Sequence, residues 1–283
     1  MYKLYVIPGS HACRSAMLML EHKQVPYRRI ELVSLLHPIL ARLHGFDAGG
    51  QRRSVGGRRP VALRIADRLG TVPGLACDGQ RVSTNHQIAR FLDERHPKPP
   101  LFPADPERRA AVEEAERWAN DTLQMDARRI LTGAVRRDPA AANRLGADGR
   151  LGPLIYKSAL ARRILIPTLV CSAFAPSPGT ERKLLAELAT TLDRIDGWIA
   201  DGVLGGAQLN TADFMVAPSL ALILYRTDVM PLFEGRPALE LVDRLLPPSW
   251  QRCPMPHCAV VAYGTWPGTG SGDREQRPME PIA

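Results

Sequence analysis

The sequence lacks long apolar runs and is poor in cysteine and aromatic residues. No stretch approaches the roughly 18 to 20 consecutive apolar residues that a membrane-spanning helix needs. The first residues also lack a basic segment followed by an apolar one and a cleavage site. The cysteines are odd in number and widely scattered, unlike the disulfide framework of a small secreted protein: Cys13, Cys77, Cys171, Cys253 and Cys258. We therefore expect a protein of the reducing cytoplasm.

The composition is that of a folded globular protein. Hydrophobic residues make up 45% of the 283 residues and charged residues 23%, which excludes a disordered or fibrous chain. The length is sufficient for two ordinary domains. The formal net charge of +8 would suit an anionic partner, but six arginines lie between Arg52 and Arg68. Because this excess is local and lacks interleaved aromatic residues, we predict a solvated loop and no nucleic-acid partner.

The first half of the chain alternates short strands with helices. Alternating apolar residues predict a strand over residues 2–7, and apolar residues at helical spacing predict a helix over residues 12–23. The turn between them contains Ser10. A second strand is predicted over residues 25–33 and a second helix over residues 35–43. This βαβα order supplies the crossover that two parallel strands require.

A hairpin is predicted to complete this sheet. The glycine- and arginine-rich segment 47–68 precedes two short strands, residues 72–77 and 80–83. Between the strands lies an Asp-Gly dipeptide, which is typical of a tight type I′ turn. Asn85 is predicted to cap a helix that ends near residue 95. The order is then βαβαββα, with an antiparallel hairpin at one edge of the sheet.

Proline marks the predicted domain boundary. Five prolines occur in residues 96–106, which therefore form an extended connector. Beyond it, leucine and isoleucine at three- and four-residue spacing predict helices over residues 107–131, 154–172 and 180–200. The last clear helix is predicted to start at Asn210, where Asn-Thr-Ala-Asp213 resembles a capping box.

These patterns divide the chain into four parts. Residues 1–95 are predicted to form an α/β domain, residues 96–106 a linker and residues 107–246 an all-helical domain. Residues 247–283 are rich in proline and glycine and have no periodicity, so they are predicted to be an irregular tail without an assigned function.

In this order, the features resemble the glutathione S-transferase superfamily. The resemblance covers about residues 2 to 246 and lies in five features: Ser10-His-Ala-Cys-Arg14, Thr71-Val-Pro73, the hairpin before an Ile-Ala-Arg-Phe-Leu-Asp-Glu helix, the proline-rich linker and Asn210-Thr-Ala-Asp213. The Ser-x-x-Cys-Arg pattern is most similar to serine-type members of the theta and zeta kind. The resemblance implies an α/β thioredoxin-like N-terminal domain, an all-α C-terminal domain and a homodimer.

The resemblance also implies a site for glutathione as cosubstrate. Ser10 would stabilise the glutathione thiolate as a hydroxyl donor beside the positive end of the first helix, and would not itself be the nucleophile. Val72, before a cis Pro73, would offer its backbone to the cysteine of glutathione. Thr84 and Asn85 occupy the place of the usual Glu-Ser pair that binds the γ-glutamyl end. Thr84 departs from this pattern, because the acidic partner of the ligand's ammonium group is lost.

The implied activity is that of a transferase-like enzyme. The glutathione thiol would add to, or displace a group from, a small hydrophobic electrophile, with the helix over residues 107–131 as one wall of its pocket. His11, beside Ser10, either positions a substrate or faces solvent. Trp118 and Trp198 are predicted to belong to the core of the second domain.

Two alternatives accompany this hypothesis. A catalytically inactive binding or scaffold protein would keep the fold and lose the activity, as the altered Thr84-Asn85 pair favours. A thiol-redox protein would use Cys13, although Ser10 holds the position of the redox nucleophile, so Cys13 is predicted to be a packed thiol. Two cysteines and a histidine cluster within residues 253–258, but zinc needs four ligands, so we predict no metal site.

Overall fold

The computed structural model describes residues 1–7, 9–33, 36–47, 70–137 and 174–246. The N-terminal part is built on a four-stranded mixed sheet with the order β2-β1-β3-β4. Its strands are β1 (Tyr2–Val6), β2 (Tyr27–Glu31), β3 (Gly74–Cys77) and β4 (Gln80–Ser83). The first two strands are parallel, and β3 runs antiparallel to both β1 and β4. The predicted parallel strand pair and the predicted antiparallel hairpin are therefore confirmed.

The hairpin turn has the predicted chemistry. Asp78 has a φ of 50° and Gly79 a φ of 81°. Two consecutive residues with positive φ define a type I′ turn, whose twist matches that of the flanking strands.

Three helices accompany the sheet: α1 (His11–His22), α2 (His37–Leu43) and α3 (Asn85–Arg95). The N-cap of α3 is Thr84, whose hydroxyl accepts a hydrogen bond from the Gln87 N–H at 3.4 Å. The Gln87 side chain in turn accepts from the Ser83 N–H at 3.2 Å. The prediction that Asn85 caps this helix is therefore wrong, because the residue before it already supplies the capping oxygen.

The C-terminal part is helical throughout the residues that the structure describes. Its elements in chain order are α4 (Pro106–Trp118), a π-helical turn (Ala119–Leu123), α5 (Gln124–Arg137), α6 (Pro178–Ala186), α7 (Leu188–Ala200), α8 (Thr211–Ile223), a 3-10 turn (Thr227–Val229), α9 (Met230–Phe233) and α10 (Pro237–Leu245). The helix predicted over residues 107–131 thus contains a π-helical turn and extends further. The helix predicted over residues 180–200 is interrupted at Glu187.

Helix α8 is the centre of the molecule. All thirteen of its residues are buried, as expected of a helix that is apolar all round. Helices α1, α4, α5 and α10 pack against it. Because α1 belongs to the N-terminal part and α5 to the C-terminal part, α8 brings the two parts together.

The sequence analysis was wrong in placing the last clear helix at Asn210. Helices α9 and α10 follow it. In α10, Ala238 is buried together with Leu241 and Val242, which lie three and four positions further along the helix. This is a usable amphipathic signal. The segment was missed because α10 has nine residues, a length at which periodicity alone is weak.

A buried ion pair joins the two parts of the chain. Glu116 of α4 is fully buried, and its carboxylate accepts hydrogen bonds from the Arg90 guanidinium of α3 at 3.0 and 3.1 Å. The Thr211 hydroxyl of α8 also donates to Glu116, at 3.4 Å. Two-pronged pairing of this kind fixes orientation as well as distance, so it holds α3 at a defined angle to α4.

Several predictions lie outside the described residues. They concern the helix over residues 154–172, most of the basic segment 47–68 and the tail 247–283 with its Cys-His-Cys cluster. Among the helices that the structure describes, none has the length and apolar character of a membrane span.

Candidate active site

Three segments that are distant in sequence meet at one edge of the sheet. Strand β1 ends at Val6 and leads to Ser10 at the start of α1. Strand β3 begins at Gly74, which lies opposite Tyr5 near the end of β1 and opposite Ser83 at the end of β4. The residues just before β3 and just after β4 therefore lie beside the start of α1. These are the predicted Val72-Pro73 and Thr84-Asn85 pairs.

Ser10 is the N-cap of α1. Ser10 is partly exposed, and its hydroxyl oxygen accepts a hydrogen bond from the Cys13 N–H at 3.3 Å, a bond that does not use the hydroxyl proton. The first turn of α1, described in full, contains no acidic residue. The positive end of the helix dipole is therefore not offset by a side chain of its own first turn, so this end of α1 favours an anion.

The Val72-Pro73 peptide bond is cis, as the resemblance implied. The Pro73 carbonyl accepts from the Thr84 N–H at 3.3 Å, which ties the start of β3 to the start of α3. Val72 precedes Gly74, the first residue of β3 and the point at which its pairing with β1 ends. Its backbone is therefore outside the ladder of the sheet, where an extended ligand could pair with it.

Thr84 and Asn85 form the third side of the site. Thr84 has a φ of 69°, a left-handed conformation that is rare for a β-branched residue and recurs at functional sites. Asn85 is buried with 3% of its surface exposed, and its Oδ1 has no hydrogen-bond partner among the described residues. An unpaired buried acceptor costs about 1 to 3 kcal/mol, so this oxygen is suited to a donor on a ligand.

Comparison with known proteins gives no match to any family model and none to the curated protein sequences. Solved structures do match. A glutathione S-transferase from Rhodospirillum rubrum F11 is similar over 88% of this chain and 90% of its own, with 21% identity and a TM-score of 0.51. A mutant of human glutathione S-transferase T1-1 in its apo form is similar over 88% and 86%, with 20% identity and a TM-score of 0.53. The chain has the glutathione S-transferase fold.

A third structure agrees. A glutathione S-transferase from Sinorhizobium meliloti 1021 is similar over 89% of this chain and 90% of its own, with 18% identity and a TM-score of 0.52. The expected architecture of this fold, a thioredoxin-like N-terminal domain followed by a helical C-terminal domain, is confirmed.

Within this glutathione S-transferase fold, His11 and Cys13 are buried beside Ser10. His11 is 7% exposed, and its Nε2 has no hydrogen-bond partner among the described residues. Burial lowers the pKa of His11 well below its ordinary value, and the Arg128 guanidinium lowers it further. The ring is therefore neutral at neutral pH. It does not face solvent, so the exposed alternative predicted for His11 is wrong.

Cys13 is a buried thiol. Burial raises its pKa, while a hydrogen bond with Ser10, a backbone hydrogen bond from Ile7 and the charge of Arg128 partly oppose that rise. Only 2% of Cys13 is exposed. A thiol that is inaccessible and mainly protonated is a poor nucleophile, so the structure favours the packed thiol over the redox alternative.

Arg128 on α5 is a member of this site that the sequence analysis missed. The residue is half-buried, and its guanidinium carbon lies 5.7 Å from the centre of the Phe174 ring. Burial lowers the pKa of Arg128 to about 10, although attraction to Cys13 opposes the shift, so the group is cationic at neutral pH. No local motif marks this arginine. Its relation to the site depends on the packing of α1 and α5 against α8.

Trp118 and Trp198 form a cluster in the C-terminal part of the fold. Their ring centres are 5.2 Å apart in an edge-to-face arrangement, and Arg194 stacks against both rings at 5.0 and 4.6 Å. Both rings pack against the hydrophobic core while remaining partly exposed. This agrees with the prediction that they are core residues.

Proposed function

We propose that the protein is a glutathione S-transferase-like enzyme that joins the glutathione sulfur to a small hydrophobic electrophile. The observation that carries the proposal is the meeting of Ser10, the cis Val72-Pro73 peptide and Thr84-Asn85 at one edge of the sheet. The proposal includes the homodimer, the cytoplasmic setting and the domain boundaries expected from the sequence.

Ser10 acts on the thiol in this proposal. Its free hydroxyl proton would be donated to the glutathione sulfur, and the positive end of α1 would favour the thiolate further. The thiol proton passes to solvent. The sulfur lone pair then forms a bond to the electrophilic carbon. In a displacement, the leaving group departs with the electrons of its bond to that carbon. In an addition, the π electrons of the acceptor double bond move to the neighbouring atom, which is then protonated.

Asn85 supports a neutral way of holding the γ-glutamyl end of glutathione. Its buried Oδ1 has no partner among the described residues and is an acceptor, so it can receive a hydrogen bond from the ligand's ammonium group, which a carboxylate would otherwise bind. The ligand's carboxylate would be favoured by the positive N-terminal end of α3. The departure at Thr84 is thereby compatible with glutathione.

Calorimetric titration with glutathione tests the binding half of the proposal. We expect wild-type protein to bind, and Asn85→Ala to bind about tenfold more weakly, because one hydrogen bond to a charged group contributes roughly 1.5 kcal/mol. The matched control is His86→Ala, since His86 adjoins Asn85 but lies 3.4 Å from Glu116. Absence of binding to wild-type protein at millimolar glutathione would contradict the proposal.

Turnover of 1-chloro-2,4-dinitrobenzene tests the chemical half. Ser10→Ala is expected to lower kcat at least tenfold with a smaller change in glutathione affinity, because the hydroxyl stabilises charge on the sulfur. Ser177→Ala makes the same chemical change at the cap of α6 and should leave kcat unchanged. Glutathione binding without turnover of this or other electrophiles would instead support the scaffold alternative.

A further inference from the structure

One face of α5 carries two hydrogen-bond donors, Gln124 and Arg128, whose side chains have no acceptor among the described residues. Gln124 is 2% exposed, and its side-chain Nε2 has no hydrogen-bond partner among the described residues. Arg128 lies one helical turn further along, so the two side chains are neighbours on the same face of the helix. Buried donors of this kind are nearly always paired in folded proteins. Their arrangement therefore indicates that something else supplies the acceptor.

The other arginines with buried or half-buried side chains in this part of the fold differ from Arg128. Arg226 is paired with Glu181 at 2.8 Å and with Asp228 at 2.5 Å. Arg236 is paired with Asp193 and Asp196 at 2.7 and 2.8 Å. Within the part of the chain that the structure describes, Arg128 has no carboxylate partner, and its guanidinium lies over the Phe174 ring.

The location of this charge is equally specific. Helices α1 and α5 both pack against α8, and the charge of Arg128 affects the pKa of both His11 and Cys13 in the first turn of α1. In that first turn, His11 Nε2 is a further buried nitrogen without a partner among the described residues. A cationic group partly removed from water attracts an anion more strongly than an exposed one does.

We propose that Arg128 and Gln124 form a subsite that binds a carboxylate or similar anionic group on the electrophilic substrate. The guanidinium fork matches the two oxygens of such a group, and the Gln124 amide can donate a further hydrogen bond. The preferred substrates are then anionic electrophiles, not purely hydrophobic ones. This inference rests on the proposed function, since it concerns the second substrate of that site.

The glutathione thiolate is the competing occupant of the subsite. That thiolate already has a donor and a positive helix end in Ser10 and α1, which belong to the N-terminal domain. Gln124 and Arg128 belong to a helix of the C-terminal domain, where the sequence analysis placed the wall for the second substrate. Their bidentate geometry also fits two oxygens better than it fits one sulfur atom.

Two inert ligands test the subsite directly. They are 3,5-dinitrobenzoate and 3,5-dinitrobenzamide, which share a ring and differ in charge, and they are titrated calorimetrically into the folded full chain without glutathione at fixed salt. We expect the benzoate to bind wild-type protein about tenfold more tightly, because a charge-assisted contact contributes roughly one such factor. In Arg128→Met the preference should vanish. In Gln124→Met it should fall about threefold.

The matched control is Arg129→Met, which removes the same charge from the next residue of α5. Arg129 instead lies 3.7 Å from Asp126, so the benzoate preference should survive there. Equal binding of the two ligands to wild-type protein, no binding of either, or an undiminished preference in Arg128→Met would each overturn the inference. Glutathione is absent from this titration. A failure of the proposed function would therefore appear only in the separate glutathione titration and would not change the interpretation of the benzoate result.

Discussion

The N-termini of α1 and α8 are both capped by a polar side chain, but only α8 also has an acidic residue in its first turn. At α8, Asn210 and Asp213 form a complete capping box: the Asn210 side chain accepts from the Ala212 N–H at 2.9 Å, and Asp213 accepts from the Asn210 N–H at 2.9 Å. Asp213 also accepts from the Gly205 N–H at 2.7 Å. At α1, Ser10 makes a single capping bond of 3.3 Å, and no acidic residue is present in the first turn.

The comparison distinguishes a structural terminus, whose backbone N–H groups are satisfied by its own side chains, from a helix N-terminus that can bind an anionic ligand. The start of α8 is buried and uses its own carboxylate to compensate the helix dipole. The first turn of α1 has no acidic side chain for such compensation and contains the buried ring of His11. An N-terminus that supplies its own anion has little capacity left for one on a ligand.

Asp213→Ala should be the most damaging single change at either terminus. It leaves the buried N–H groups of Asn210 and Gly205 without acceptors, each at a cost of roughly 2 kcal/mol, so we expect a loss of about 4 kcal/mol in the free energy of unfolding. Urea denaturation measures it. The control is Asp105→Ala at the exposed cap of α4, where a loss of about 1 kcal/mol is expected. Equal losses in the two variants would mean that the buried hydrogen bonds of Asp213 stabilise the protein no more than the exposed capping bond of Asp105 does.

The pH dependence of stability should also distinguish the two termini. Burial raises the pKa of Asp213 from 3.8 to about 6, against the hydrogen bonds from Gly205 and Asn210 and the charge of Arg244. A carboxyl group with a raised pKa holds its proton more tightly in the folded state, so its stabilising contribution is complete below pH 4. That contribution is lost as the pH rises through 6, and the difference amounts to about 3 kcal/mol.

The measurement compares wild-type protein with Asp213→Asn, which does not titrate. The free energy of unfolding of wild-type protein relative to this variant should fall by about 3 kcal/mol between pH 3.5 and 7. A difference that is constant, or that rises with pH, would show that Asp213 is not held in a proton-retaining environment.

The smallest effect is expected for stability at Ser10. Ser10→Ala and Ser177→Ala each remove one capping bond, of 3.3 and 3.1 Å, so both should lower the free energy of unfolding by about 1 kcal/mol or less. Chemical denaturation of the two variants side by side checks this. If Ser10→Ala destabilised the protein as much as Asp213→Ala, the start of α1 would be a structural terminus after all.

The sequence was a good guide to the N-terminal domain because its signals are local. The Asp78-Gly79 turn, the alternation in β1 and the proline-rich linker each depend on residues a few positions apart. The same is true of the Asn210 capping box. Local signals were misleading where several compete: Thr84 and Asn85 are both good capping residues, and only the backbone conformation, with Thr84 at a φ of 69°, selects between them.

The site was less predictable than the fold. Ser10, Val72, Pro73 and Asn85 came from the order of motifs in a known family, and the strand register explains why they meet. Arg128 could not be found in this way, because its role depends on how α5 packs and on the absence of a carboxylate partner in the described structure. Neither property is encoded in neighbouring residues.

The π-helical turn Ala119–Leu123 has a consequence for how this protein can change over time. A π turn holds one residue more than an α-helical turn, and each residue of an α-helix advances the direction of its side chain by about 100°. Removal of a single codon within this turn would therefore leave a regular α-helical turn, with Arg128 and Gln124 still on the face of α5 that they occupy now. The turn can thus absorb the loss of a residue that would rotate the side chains of an uninterrupted helix by about 100°.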